Sequence, residues 1–154
     1  FEFLVLETFQ AGLSWITILR RRENFRTAFD NFDYKKISKY TEAKILDLLQ
    51  DEGIIRNKLK VRATVSNAQA YIDVQKEFGT FSNYIWQFVK GVSVKNKVLN
   101  YKEAPANTTT SDAISKDLKK RGFKFVGSTI IYAFMQATGM VNDHEIECFR
   151  YHEV

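Results

Sequence analysis

The stretch "LETFQAGLSW", residues 6–15, sets an acid, a glycine turn, an aliphatic tip and an indole close together. Glu7 stands among Leu4, Leu6 and Phe9, where a carboxylate buried without partners costs several kcal/mol. It must reach water, pair with a cation, or line a functional cavity. Across Gly12, Trp15 is placed to share such a cavity, giving a charged acceptor beside a stacking platform for a flat, electron-poor heterocycle. Residue types alone favour the plainer arrangement, with the indole in the core and the acid at a solvated edge.

A second candidate is "LKKRGFKFVGSTIIYAFMQATG", residues 118–139. A basic helix stops at Gly122, a short loop holds Phe123, Phe125 and Val126, and Gly127-Ser128 opens an apolar helix. Amides at such a helix start, with the dipole behind them and Lys120, Arg121 and Lys124 beside them, make a phosphate site. The same spacing also fits a plain helical corner whose glycines serve as cap and turn, and spacing alone slightly favours that. A third candidate is His144 with Cys148, four apart and on one face if residues 142–150 are helical. They form half of a tetrahedral zinc site; on these residues alone a surface histidine and a half-buried thiol is the default. Two further ligands upstream of Phe1 would reverse that expectation.

The elements that must position these groups read as helices throughout. One proline and seven glycines punctuate the chain, and no alternation of strand length is present. The periodicity predicts helices at about 1–11, 14–30, 34–38, 41–50, 55–78, 80–90, 111–121, 128–138 and 142–150, with a polar surface connection over 91–110. Ser14, Thr41, and Ser111 with Asp112 are the expected helix starts. At 154 residues and 45% hydrophobic, the chain suits a single domain that needs no disulfide framework, and its one cysteine excludes an internal one. No apolar run of membrane-spanning length and no basic-then-apolar leader is present, so no membrane role is expected. The net charge of +5 matters through three clusters: Arg20–Arg22; Arg56, Lys58, Lys60 and Arg62; and Lys116, Lys119, Lys120, Arg121 and Lys124. Converging on one face, they would form a footprint for a polyanion; each one singly fits a solvated helix face.

Taken in order, "QAGLSWITILRRRENFRTAF", "EGIIRNKLKVRATVSNAQAYI", "FSNYIWQFVKG", "SDAISKDLKKRGFKFVGSTIIYAFMQATGMVNDH" and the trailing His144-x3-Cys148 resemble 3-methyladenine DNA glycosylase I. That family is a branch of the helix-hairpin-helix glycosylases, and the resemblance runs over essentially the whole chain. It implies an all-α fold with two lobes of helices around a base-binding cleft. It further implies one glycosylase domain over 1–154, lacking the family's first segment, with the helix-hairpin-helix at about 111–138. The implied activity is hydrolytic release of 3-methyladenine, with 3-methylguanine as a further substrate, from alkylated double-stranded DNA. The implied setting is a monomer in the bacterial cytosol.

By the same resemblance, Glu7 is the pocket carboxylate and catalytic candidate, and Trp15 the aromatic that stacks on the base. Leu13 is the residue pushed into the duplex, with Gly12 and Gln10 beside it at the DNA. Gly122, Lys124, Gly127 and Ser128 form the backbone anchor. His144 and Cys148 match two of four ligands of a structural zinc, the other two being expected upstream of Phe1. Gly127-Ser128-Thr129 lacks the lysine that lyase-type relatives place after the hairpin, so no lyase step is expected. The superfamily's catalytic aspartate aligns near Asn142 and Asp143. Thr8-Phe9 departs from the smaller or polar residues frequent there, which would alter the pocket wall. The competing readings are a non-catalytic helix-hairpin-helix DNA-binding module and a helical interaction domain whose charge is incidental.

Overall fold

The computed structural model describes residues 1–100, 102 and 104–154. Helix α1 (Glu2–Gln10) lies inside the molecule, because Leu4, Val5, Leu6, Thr8 and Phe9 are buried on every side of it. It is followed by α2 (Trp15–Leu19), α3 (Arg22–Ala28), α4 (Tyr34–Ile37) and α5 (Glu42–Gln50). The long α6 (Lys58–Phe78) and α7 (Phe81–Trp86) come next, then α8 (Thr109–Lys120) and α9 (Ser128–Ala137).

Two apolar clusters form two lobes, and α1 and α6 feed both. Val5, Leu6 and Phe9 of α1 join Phe25, Phe29, Ile45, Leu48, Val61 and Val65 in one. Leu4 of α1 joins Ala70, Val74, Tyr84, Ile114, Leu118, Phe123 and Ile131 in the other. A helix with an apolar residue on every face can only sit between two such cores.

Several sequence-based expectations are corrected. The helix over 14–30 breaks at Arg20–Arg21, where Arg21 donates to the carbonyls of Glu52 (2.7 Å) and Gly53 (3.1 Å) while Arg22 turns to Glu2 (2.6 Å). Ser14 occupies the start of α2, but its hydroxyl bonds to the Thr17 hydroxyl at 2.7 Å instead of capping an amide. Thr41 caps α5 as expected. Helix α8 starts earlier than Ser111: Thr108 is its cap, and Ser111 closes the reciprocal capping box.

The largest departure is at 142–150, which is not a helix. Val141–Asn142 form β2, paired in parallel with β1 (Val94–Lys95) inside the predicted 91–110 connection. Asn96 N donates to the Asn142 carbonyl and Ile146 N to the Val98 carbonyl, each at 3.0 Å, so the main chain finds its partners across the molecule. Within that connection Tyr101 and Glu103 lie outside the described residues. Among the described residues no helix is long and apolar enough to cross a membrane.

Candidate active site

Between the lobes lies a cleft of about 740 Å³ whose wall includes Glu7, Gln10, Trp15, Asn142, Asp143 and His144. That volume lies in the range of ligand pockets. Helix α9 forms one side, turning Thr129, Ala133, Gln136 and Ala137 toward the space.

Glu7 is only 4% exposed, yet among the described residues it has no hydrogen bond and no ion pair. Its carboxyl therefore looks into the cleft. Burial pushes its pKa up to about 7, because the surrounding apolar helix disfavours the charged form. The third possibility open from the sequence, an acid lining a cavity, is the one realised. Trp15, half-buried at the start of α2, lines the same cleft. Thr8 and Phe9 do not alter its wall. Thr8 Oγ1 donates to the Leu4 carbonyl at 2.9 Å, and Phe9 packs edge-on against Phe25 with ring centres 4.7 Å apart.

The turn between Glu7 and Trp15 projects outward. Gly12 has φ +80, a conformation that strains any residue with a side chain, and Leu13 at the tip is 38% exposed. Gln10 is folded into this turn: its Nε2 donates to the Leu13 carbonyl at 2.8 Å.

The hairpin between α8 and α9 is anchored from below. Phe123 and Val126 are buried, which leaves Lys124 and Phe125 outside. Ser115 Oγ donates to the Val126 carbonyl at 2.6 Å, and Ser111 and Ser128 share a hydroxyl bond at 2.8 Å. No side chain caps α9, so its first-turn amides and positive dipole end face outward. Gly127 has φ −60 and nothing within 4 Å of an added Cβ. The chain itself does not need a glycine there; what the missing side chain leaves open is access to those amides.

The basic clusters do not act as blocks. Arg21 and Arg22 are spent on the fold, Arg62 grips Glu42 with two bonds of 2.6 Å, and Lys60 is buried. Arg121, expected beside the hairpin as free charge, is held by Asp117 and Glu77 at 2.7 Å each and stacks near Phe78 and Tyr84. Arg56 pairs with Glu52 at 3.6 Å, and the exposed side chains of Arg20, Lys58, Lys116, Lys119, Lys120 and Lys124 carry the charge of the three clusters that remains outward.

His144 and Cys148 meet through a turn, not on a helix face, with Nδ1 and Sγ 3.7 Å apart. Two ligands of one tetrahedral zinc, at ordinary bond lengths, stand about 3.6 Å apart, so the pair fits that role. Among the described residues no third histidine, cysteine or carboxylate joins them. Asn142 spends its side-chain amide on the carbonyls of Tyr151 (3.0 Å) and Val154 (3.1 Å) and accepts from His144 N. Asp143 accepts from Asn96 (2.7 Å), Tyr132 (2.6 Å) and Gln136 (2.8 Å). Both cleft-side groups are thus held in place by the fold, which leaves Glu7 as the acid without a partner. Sequence reasoning missed Gln136 and Thr129 as lining residues; their spacing along α9 with Ala133 was the available signal.

Two helical lobes, a helix-hairpin-helix and a cleft with one unpartnered acid beside an indole define a helix-hairpin-helix protein with a ligand site between its lobes. The chain belongs to the methyladenine glycosylase family, whose description "Methyladenine glycosylase" matches residues 1–151. It is 47% identical over 151 residues to DNA-3-methyladenine glycosylase 1 of Escherichia coli, covering 98% of this chain and 81% of that protein. It is 48% identical over 148 residues to DNA-3-methyladenine glycosylase of Haemophilus influenzae, covering 96% and 80%. A solved structure of the Staphylococcus aureus 3-methyladenine DNA glycosylase I, described as showing the structural basis of 3-methyladenine recognition, superposes with a TM-score of 0.93. It is 32% identical, with 96% of this chain and 79% of that one covered.

Proposed function

We propose that this chain is a base-excision repair glycosylase that releases 3-methyladenine from alkylated duplex DNA. The observation that carries this reading is Glu7, a buried acid with no partner of its own, facing a cleft that it shares with Trp15. A 3-methylated adenine carries a positive charge. Entering the cleft, it supplies the partner that Glu7 lacks and favours the ionised carboxylate. Trp15 adds attraction between its ring face and the cation. Neutral adenine offers neither, so the site discriminates by charge.

Reaching the cleft requires the nucleotide to leave the stack, at a cost of a few kcal/mol. Leu13, apolar and projecting, fills the vacated place and offsets part of that cost. The hairpin amides near Gly127 and Ser128, with Gly122 shaping the turn and Lys124 beside it, hold phosphates without reading sequence. Hydrolysis then breaks the bond between the base nitrogen and the sugar. The electron pair of that bond neutralises the departing base, a water oxygen bonds to the sugar carbon, and a water proton is released. Ionised Glu7 stabilises the positive charge that develops on the sugar. Gly127-Ser128-Thr129 offers no lysine after the hairpin, and release is proposed without a strand-cleaving step. 3-Methylguanine, cationic in the same way, is accepted by the same logic.

His144 and Cys148 are proposed as two ligands of a structural zinc that ties the segment after β2. The relatives are bacterial enzymes, and the reading places this protein, as a monomer, with the DNA of a bacterial cytosol. The test is base release from methylated duplex DNA by the wild type and Glu7→Gln. Release abolished by the substitution with DNA affinity retained is expected. Equal release by both proteins overturns the role of Glu7, and no release by the zinc-loaded full-length wild type overturns the function, leaving a DNA-binding module.

A further inference from the structure

Lys60 stands in the first turn of α6 and shares a buried face of that helix with Thr64 and Asn67. It is 6% exposed. Its Nζ donates to the carbonyl of Phe9 at 2.9 Å and to that of Ala11 at 2.6 Å, from another helix about fifty residues along the chain. No carboxylate pairs with it among the described residues, and burial draws its pKa below the ordinary lysine value. An ammonium is costly in such a place, and what offsets the cost is the end of α1. There the last carbonyls have no amide partners and the helix dipole is negative.

The end of α1 is also the base of the projecting turn. Ala11 leaves the helix at φ −48 and ψ 115, and Gly12 follows at φ +80. Leu13 is closed onto Gln10 by two bonds: its N–H donates to the Gln10 carbonyl at 2.7 Å, and its carbonyl accepts from Gln10 Nε2 at 2.8 Å. Those bonds are local and fix only the shape of the loop. The two from Lys60 are the hydrogen bonds that tie residues 9–13 to another element among the described residues. Phe9 is packed in the core, but beyond it the turn opens outward: Leu13 is 38% exposed and an added Cβ on Gly12 meets nothing within 4 Å.

We infer that Lys60 is a positioning residue for Leu13: it clamps both sides of Gln10 and so aims the turn at the place where a nucleotide leaves the stack. The inference rests on the function proposed above. A wedge that must fill one gap in a duplex works only if the free protein already holds it in place, because ordering it on contact subtracts from binding. A lysine does this where an apolar residue cannot, since one Nζ satisfies two carbonyls that point in different directions.

The test compares Lys60→Met and Lys60→Arg with the wild type on methylated duplex and methylated single-stranded DNA. Only the duplex has a stack to fill. Lys60→Met is expected to lose about 10- to 100-fold in kcat/KM on duplex, the scale of a misplaced positioning group, with single-strand release near wild type. Lys60→Arg, which keeps the charge and the donors, recovers part of the duplex activity. Unchanged duplex release, or equal losses on both substrates, overturns the inference. If Lys60→Met does not fold, Lys60→Gln, which keeps one donor group, takes its place. The anisotropy of Trp15 fluorescence in a Trp86→Phe background judges the clamp without any substrate. It falls when Lys60 is replaced if the turn is released, and an unchanged value overturns the inference. Absence of activity in the wild type counts against the proposed function and leaves this fluorescence test standing.

Discussion

Asn67 on α6 grips the backbone of Lys124 in the hairpin from both sides. Its Oδ1 accepts from Lys124 N at 2.7 Å, and its Nδ2 donates to the Lys124 carbonyl at 3.1 Å. Asn67 is 1% exposed, so this side-chain amide replaces water for both groups. The proposed phosphate anchor is thereby fixed to the same helix that, through Lys60, holds the Leu13 turn.

Asn67→Ala leaves a buried N–H and a carbonyl without partners. A loss of about 2–3 kcal/mol in stability is expected from two such groups, measurable by urea unfolding. Affinity for DNA falls with it, because the hairpin is no longer held in one conformation. Unchanged stability contradicts the clamp.

Gly127→Ala separates anchoring from folding. Nothing in the chain crowds an added Cβ there and φ is ordinary, so thermal stability stays near wild type. A methyl group over the first amides of α9 hinders a phosphate, and affinity for DNA falls by about tenfold, the value of one lost charge-assisted hydrogen bond. Fluorescence anisotropy with labelled duplex reads it.

The charges near the hairpin divide into two kinds. Lys124→Ala lowers the steepness of the salt dependence of DNA binding by about one phosphate contact. Arg121→Ala leaves that slope unchanged, since Arg121 is already committed to Asp117 and Glu77. It destabilises the protein instead, by removing the cation that sits among two carboxylates and two aromatic rings. Binding titrations at several salt concentrations distinguish the two.

Glu7 links pH to both stability and release. Its folded-state pKa is raised from 4.5 to about 7, so between those values the folded protein holds a proton that the unfolded chain has lost. Stability therefore declines as pH rises through that window, and the loss is complete above it. Glu7→Gln should match the wild type in stability below pH 4.5 and exceed it above pH 7. The gain is on the order of 2 kcal/mol, somewhat less than the full shift because the carboxyl faces the open cleft. Release by the wild type runs the other way, with kcat/KM rising as Glu7 ionises near pH 7. A stability gain that does not vary with pH contradicts this assignment.

If the proposed zinc is held by His144 and Cys148, Cys148→Ser and chelation lower the melting temperature of zinc-loaded protein to the same value, as ligand loss and metal loss remove the same cross-link. Metal analysis of the purified protein gives the complementary measurement.

The helices were legible wherever local signals agreed. The Thr41 cap, the stop at Gly122, and the apolar periods of α5 and α9 all stand where the pattern puts them. Reading failed where distant groups took over the backbone, at Arg20–Arg21 and at 142–150. Lys60 and Asn67 left a signal that periodicity could have shown: a lysine and an asparagine on the face of α6 that otherwise carries Val61, Thr64 and Ala68. Polar residues on a buried face need partners, and those partners lie in other elements.

What the sequence determined by itself is the sort of chain this is and the local shapes: helices, the Gly12 turn, the hairpin, and the resemblance carried by their order. It could not say whether Glu7 was core, edge or cavity. Residue types fix the cost of burying an acid, but whether a partner arrives depends on which elements fold around it. Tertiary structure settled that by placing α1 between two lobes and leaving Glu7 facing the space between them, while the helix's other acid, Glu2, is paired with Arg22 and Arg26. It also decided which cations stay outward, because a guanidinium is free or spent according to neighbours far along the chain.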